Sequence, residues 1–168
     1  MRTIKEIIIH CSATRPDWMK DAPLVDKVAE IDRWHRERGF AGIGYHFVID
    51  RDGAVAKGRD INKVGAHTKG HNKYTVGVCL LGGYESKKTD PFLKNFTRAQ
   101  DSALRELLDD LKKQIKKPVK ISGHNQYANK ECPGFIVSEW LIAPPKKPLL
   151  AVIVEAVINF LAFWKRKK

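Results

Sequence analysis

Two histidines and one cysteine have side chains and positions from which a zinc site can be built. A catalytic zinc ion usually takes three protein ligands, drawn from imidazole nitrogen, thiolate sulfur and carboxylate oxygen, and keeps a fourth position for water. His124 and Cys132 are eight residues apart, joined by a polar loop that is long enough to fold both side chains onto one ion. The third ligand must come from elsewhere, and His10, at the end of an apolar run, is the best placed candidate.

The charge of such a site determines its chemistry. Two neutral imidazoles and one thiolate leave a divalent ion with residual positive charge, so that it stays a strong Lewis acid and favours activated water at the open position. The spacing alone does not establish the site, because the sequence has neither a His-Glu-x-x-His helix nor a paired Cys-x-x-Cys motif. Ordinary core or loop positions remain an alternative for all three residues.

The elements that must position these residues alternate between strands and helices. Residues 7–9 are three isoleucines, which is typical of a strand buried on both faces, and this strand ends at His10. Apolar residues at spacings of three to four predict a helix from about residue 24 to 39 and another, capped by Thr97, that reaches residue 115. Further strands are predicted at 45–49, 54–57, 75–81 and 119–122. The chain is therefore predicted to be an α/β domain with a mixed central β-sheet flanked by helices.

A proline-rich segment divides the chain. Residues 143–148 contain three prolines, which cannot continue a helix and favour an extended linker. We therefore assign residues 1–142 to the domain that carries the candidate site and 149–168 to an apolar helix with a basic end. Its apolar part would be about 24 Å long, short of a ~30 Å hydrocarbon core, so we expect it to lie on anionic membranes. Packing on the domain or on a second copy is the alternative.

Charge and cysteine content narrow the classes of partner and compartment. The chain has 31 Lys and Arg against 19 Asp and Glu, a formal net charge of +12, which favours polyanions. Nucleic acid is not the expected partner, because part of this charge lies in residues 146–168 and no recognition-helix or RNA-binding motif accompanies the rest. Three widely spaced cysteines do not suggest a disulfide framework. With no signal-peptide pattern, we expect synthesis in the cytoplasm and action on the cell wall after release.

Six short blocks, in order along the chain, resemble the zinc amidases of the phage lysozyme and peptidoglycan-recognition-protein family. The blocks are residues 9–14 (IHCSAT), 44–47 (GYHF), 64–67 (VGAH), 76–80 (VGVCL), 123–124 (GH) and 130–133 (KECP). Six ordered matches are far more specific than any one of them. The resemblance covers nearly all of the chain before the prolines and is strongest to phage-type endolysins of the N-acetylmuramoyl-L-alanine amidase class.

The resemblance implies a function and a role for particular residues. It implies a zinc cofactor on His10, His124 and Cys132, and a peptidoglycan substrate cut between N-acetylmuramic acid and L-alanine. Tyr45 and Lys130 match the family's catalytic pair: the Tyr45 hydroxyl would orient the attacking water or relay its proton, and the Lys130 ammonium would stabilise the oxyanion. His67 matches a position that lines the substrate groove. The family therefore implies a zinc-dependent endolysin.

Other histidines and cysteines are given structural roles. His46 is expected in the core or behind the ligands, His35 on a helix-packing face and His71 on the surface. Cys11 and Cys79 are expected to behave as small hydrophobic residues. Two alternatives to zinc hydrolysis stay open, a Cys-His peptidase with one of these cysteines as nucleophile and a peptidoglycan-binding module of the same fold without catalysis. The variants Cys11→Ala and Cys79→Ala separate the first alternative from the zinc hypothesis, which requires both variants to stay active.

Overall fold

The computed structural model of the protein describes residues 2–144, and its elements alternate as the sequence predicts. The strands are β1 (Glu6–Cys11), β2 (Phe47–Ile49), β3 (Val55–Lys57), β4 (Thr75–Leu80) and β5 (Lys120–Gly123). The helices are α1 (Leu24–Glu37), α2 (Phe92–Asn95), α3 (Arg98–Ile115) and α4 (Val137–Ile142), and single 3₁₀ turns lie at Asn72–Tyr74 and His124–Gln126. The predicted apolar helix at 149–168 and most of the predicted linker at 143–148 lie outside the described residues.

The five strands found within residues 2–144 form one mixed sheet with the order β3-β2-β4-β1-β5. β1 runs parallel to both of its neighbours, β4 and β5, and β2 runs parallel to β4. Only the hairpin strand β3 is antiparallel, to β2. The predicted mixed sheet with flanking helices is confirmed. Parallel pairs need helical or long loop crossovers, which cover the sheet and explain the near-complete burial of β1 and β4.

Alternation along the strands separates the two faces of the sheet. The main hydrophobic core lies between the sheet and α3, where leucines of the helix pack on alternate residues of β1 and β4. The opposite face of the same two strands has a different composition, and we call it the site face. It carries Ile8, His10, Thr75, Gly77 and Cys79. A second, smaller core that includes Cys79 joins this face to α1.

Local sequence explains where the long helices begin and end. Thr97 forms a capping box with Gln100: the Thr97 side chain accepts from the Gln100 N–H, and the Gln100 side chain accepts from the Thr97 N–H. At the other end of α3, Lys116 takes the left-handed conformation that commonly terminates helices. No helix between residues 2 and 144 is long and apolar enough to cross a bilayer.

Candidate metal centre and groove

The parallel register of β1 and β5 brings two histidines together. Ile9 is paired with Gly123. The next residue along each strand direction is a histidine, so His10 and His124 lie side by side. Their ring centroids are 4.6 Å apart. Since His10 is completely buried and His124 half-buried, the pair lies at the floor of a depression and not on the open surface.

The loop after β5 returns Cys132 to the same point. The Cys132 sulfur accepts the Cys11 backbone N–H at 3.3 Å and lies 3.9 Å from Nδ1 of His10. Ligand atoms of His10, His124 and Cys132 all lie within 4.8 Å of one another. Tetrahedral zinc at ordinary bond lengths needs roughly 3.3–3.7 Å between ligand atoms, so small side-chain rotations complete the geometry. The structure thus brings the three predicted ligands together.

Electrostatics keeps both imidazoles neutral. Burial lowers the pKa of His10 well below its usual value, and burial together with the Lys130 ammonium lowers the pKa of His124. Neutral imidazole has the lone pair that a metal needs. The neighbouring Cys11 thiol and burial raise the pKa of the Cys132 thiol. A coordinated divalent ion offsets both effects, because a thiol that ligates such an ion is deprotonated.

A groove of about 560 Å³ opens above this cluster and contains both predicted catalytic residues. The Tyr45 ring forms part of its wall, with its centroid 5.2 Å from that of His10. Burial raises the pKa of the Tyr45 hydroxyl well above its usual value, so the hydroxyl keeps its proton and can donate it in a hydrogen bond. Lys130 is exposed on the same groove and lies close enough to both histidines to lower their pKa values.

The groove is positively charged. Its lining includes Arg38, Lys69 and Lys130, and no aspartate or glutamate is among its lining residues within the described part of the chain. A larger cleft of about 810 Å³ lies on the other side of the molecule, between β3 and α3, but the three clustered ligand atoms are not there. The smaller, cationic groove is therefore the candidate active site, and it suits an anionic ligand.

His67 lies deeper than a residue that only lines a groove. Its Nδ1 is 3.0 Å from Nε2 of His10, and its Nε2 is 3.3 Å from the Thr75 hydroxyl oxygen. Burial lowers the pKa of His67 to about 3, so the ring is neutral. The edge of the ring still reaches the groove. Its predicted contact with substrate stays a prediction, and its contact with a candidate ligand is a feature that sequence reasoning missed.

The remaining histidines are placed largely as the sequence predicts. His46 is buried, accepts the Gly77 N–H on Nδ1 and faces the Lys63 carbonyl with Nε2, which confirms a core position. His71 is exposed. His35 is a buried residue of α1, and its Nδ1 accepts the Gly44 N–H. Its ring also lines the groove, which sequence reasoning missed.

Other groove residues were also missed, and they have only weak sequence signals. Arg38 follows His35 by three residues and comes directly after the last residue of α1. This spacing places both side chains on the same side of the helix. Tyr127 lies in the loop between two candidate ligands; its hydroxyl donates to Glu6 and its ring lies 4.2 Å from the ring of His71. Tyr127 thereby ties the ligand loop to the sheet and to the loop before β4.

A mixed sheet with flanking helices, and a His-His-Cys cluster that could hold a metal ion beside a cationic groove, are the arrangement expected of a metal-dependent hydrolase. The chain belongs to the N-acetylmuramoyl-L-alanine amidase family, whose model matches residues 1–135. Amidases of this family are generally zinc-dependent and hydrolyse peptidoglycan at the bond between N-acetylmuramic acid and L-alanine. The family and the peptidoglycan amidase activity implied by the sequence blocks are confirmed.

Relatives and solved structures agree with this family. The chain is 45% identical over 135 residues to the endolysin of Klebsiella phage KP32, covering 80% of this chain and 83% of that one. It is 43% identical over 134 residues to the endolysin of Escherichia phage T7, with the same coverage of 80% and 83%. Among solved structures, the endolysin amidase LysCS from Clostridium intestinale is similar, with a TM-score of 0.65, 26% identity and coverage of 83% and 82%. Drosophila PGRP-LB has a TM-score of 0.65 at 28% identity, with coverage of 89% and 86%.

Proposed function

We propose that this protein is a single-zinc endolysin that cuts peptidoglycan between N-acetylmuramic acid and L-alanine, with zinc held by His10, His124 and Cys132. One observation carries the proposal: three ligand atoms meet within 4.8 Å, and one of the three residues, His124, lines a groove together with Tyr45 and Lys130. The endolysins of phages KP32 and T7 support the biological role.

The donor set fits zinc. Two imidazole nitrogens and one thiolate sulfur suit zinc better than calcium or magnesium, which prefer oxygen ligands. Three protein ligands are the number found in catalytic zinc sites, which keep a position for water or substrate. When bound, zinc supplies Lewis acidity and a water nucleophile that is active at neutral pH. The groove above His124 gives a substrate carbonyl access to that position.

The protein's own groups supply the remaining chemistry. The protonated Tyr45 hydroxyl, near His10, orients the attacking water or relays its proton. The Lys130 ammonium, on the same groove, stabilises the negative charge that develops on the amide carbonyl oxygen, a contribution of about 3 kcal/mol. His67 borders the groove as a substrate-binding residue, and Arg38 and Lys69 add the positive charge that attracts anionic groups of the wall polymer.

The alternative functions are less well supported. Cys79 is buried in the sheet, and burial raises the pKa of its thiol well above its usual value, which disfavours the thiolate that a peptidase nucleophile needs. Cys11 is buried as well, but its hydrogen bond with Cys132 lowers the pKa of its thiol, so for Cys11 the Cys11→Ala variant decides: the zinc hypothesis requires it to stay active. A binding module without catalysis does not need a complete set of metal ligands. Here all three ligand positions hold residues that can bind zinc, which favours hydrolysis. Membrane contact through residues 149–168 stays a prediction, because these residues lie outside the described part of the chain.

Metal content and product identity test the proposal. The purified protein should contain close to one zinc ion per chain, and dipicolinate should abolish lysis until zinc is restored. Mass spectrometry of digested peptidoglycan should show intact stem peptides with a free N-terminal L-alanine. Full activity of the metal-free protein, or products cut at another bond, would refute it.

A matched pair of cysteine variants tests the ligand assignment. Cys132→Ser should retain zinc less well than the parent, because a neutral hydroxyl replaces the only anionic ligand. Cys79→Ala is the control, since Cys79 is a buried cysteine outside the ligand set; this variant should keep both zinc and activity. A zinc-replete, active Cys132→Ser protein would show that the third ligand is wrongly assigned, and an inactive, folded Cys79→Ala protein would favour the peptidase alternative.

A further inference from the structure

A chain of hydrogen bonds runs across the site face from a backbone carbonyl to the ring of His10. The Thr75 hydroxyl donates to the His71 carbonyl oxygen at 2.9 Å. Nε2 of His67 lies 3.3 Å from the Thr75 oxygen, and Nδ1 of His67 lies 3.0 Å from Nε2 of His10. His10, His67 and Thr75 are all buried. Both ring nitrogens of His67 therefore have partners inside the protein.

The direction of the first hydrogen bond indicates which nitrogen of His67 carries the proton. Because the Thr75 hydroxyl gives its only proton to the His71 carbonyl, its oxygen can only accept from His67, and the His67 proton is on Nε2. Nδ1 of the neutral His67 ring is then an acceptor, and because two facing lone pairs would repel at 3.0 Å, the geometry favours a proton on Nε2 of His10. The Thr68 hydroxyl oxygen lies 3.1 Å from Nδ1 of His67 and 3.4 Å from Nε2 of His10, so it shares this contact. Nδ1 of His10, which faces the Cys132 sulfur, keeps its lone pair.

The surrounding backbone fixes the His67 ring in this position. A Cβ atom on Gly77 would lie 2.6 Å from Cγ of His67, and one on Gly65 would lie 2.6 Å from its Cδ2. Glycine at position 77 interrupts an otherwise apolar strand and leaves the space that the ring occupies. The loop is held as well, since the Asn72 side-chain oxygen accepts the backbone N–H groups of His67 and Thr68 at 2.9 Å each.

From this geometry we propose that His67 and Thr75 are positioning residues that hold His10 in the tautomer with a free lone pair on Nδ1, directed at the metal. The proposal rests on the zinc site of the proposed function and gives His67 a role that acts through His10. A ligating histidine whose other nitrogen donates to a fixed acceptor binds metal more tightly, because the ring neither rotates nor changes tautomer on binding. Loss of such a partner typically weakens metal binding by about 10- to 100-fold.

Two nearly isosteric variants of His67 separate hydrogen bonding from packing. In His67→Asn the amide oxygen can occupy the place of Nδ1 and accept from His10, whereas His67→Leu has a similar volume and no acceptor. Zinc affinity is measured by competition with a chromophoric chelator. We expect His67→Leu to bind zinc about 10- to 100-fold more weakly than the parent protein and His67→Asn to stay close to it.

A second pair of variants tests the far end of the chain of hydrogen bonds. Thr75→Val keeps the shape and removes the hydroxyl, and Thr75→Ser keeps the hydroxyl. Long-range ¹H–¹⁵N spectra of the zinc-free proteins report the tautomer of His10 directly. We expect His10 to be protonated on Nε2 in the parent and in Thr75→Ser, and to show a mixture of tautomers with weaker zinc binding in Thr75→Val.

The outcomes distinguish this proposal from the zinc assignment on which it rests. If His67→Asn and His67→Leu lose zinc affinity equally, the ring acts only by packing and the proposal is wrong. If neither variant changes zinc affinity and KM alone rises, His67 is a substrate-binding residue and the proposal is again wrong. A parent protein without stoichiometric zinc, or His10→Ala with undiminished zinc affinity, would instead contradict the zinc site itself.

Discussion

The buried ion pair between α1 and the turn after β2 gives the sharpest prediction about stability. Lys27 Nζ lies 2.7 Å from Asp50 Oδ2, and the two side chains are only 7% and 8% exposed. The other Asp50 oxygen accepts the Arg51 backbone N–H at 2.7 Å. Lys27→Met keeps the aliphatic stem and removes the ammonium, which leaves the buried Asp50 carboxylate with one backbone donor and no positive partner.

The expected loss is large because little of the remaining charge can reach water. Removing one member of a buried pair typically costs about 3–5 kcal/mol, most of it the desolvation of the charge left behind. For a domain of this size that corresponds to a fall of roughly 10 °C in Tm. Asp50→Asn in the same chain removes the unpaired charge while it keeps an oxygen for Arg51, so the double variant should regain most of the loss.

Urea denaturation of the parent, both single variants and the double variant forms a complete thermodynamic cycle. The reasoning requires that Lys27→Met lower the free energy of unfolding by several kcal/mol and that Asp50→Asn restore most of it. A loss below about 1 kcal/mol would show that the pair is effectively solvated, as at a surface. If the loss of stability in the double variant equals the sum of the two single losses, the destabilisation comes from lost packing of α1 and not from the unpaired Asp50 charge.

Three further predictions concern catalysis, helix capping and the C-terminal segment. Tyr45→Phe and Lys130→Ala should keep zinc and fold but lose turnover, about a hundredfold for Lys130; a change in KM alone would make Lys130 a binding residue. Thr97→Ala should destabilise the protein by about 1 kcal/mol in urea melts, and an unchanged midpoint would rule out a stabilising cap. Deletion of residues 146–168 should spare hydrolysis of isolated peptidoglycan and reduce binding to anionic vesicles at low salt; aggregation of the truncated protein, with no vesicle binding by the intact one, would contradict membrane association.

Much of the local structure can be predicted from the sequence, because it depends on neighbouring residues. The β-branched run before His10 predicts β1, and apolar spacing predicts α1 and α3, including the Thr97 cap. The observed β2 and β3 are shorter than the predicted 45–49 and 54–57. Tyr45 lies before the first residue of β2, and its carbonyl accepts the Arg59 N–H just beyond the ladder. The difference lies only in where the regular hydrogen bonds begin.

The residue types of the candidate site can also be predicted from the sequence, but the spatial proximity of these residues cannot. Spacing alone could place His124 and Cys132 on one loop, and only the six-block resemblance pointed firmly to His10 as their partner. In the structure, the parallel pairing of β1 with β5, in the register that aligns Ile9 with Gly123, brings His10 and His124 together. Strand order and register depend on contacts between residues more than a hundred positions apart, which local patterns do not encode.

The sequence by itself determined which groups are available: imidazoles and a thiol able to bind zinc, a tyrosine, a lysine and a strong positive charge. Only the tertiary structure decided how they act on one another. His67 is a loop histidine in the sequence, yet it lies over Gly77 with one nitrogen on His10 and the other on Thr75. Those contacts join a loop and two strands, and a hydrogen bond is made only when the folded chain sets donor and acceptor within about 3 Å and in line.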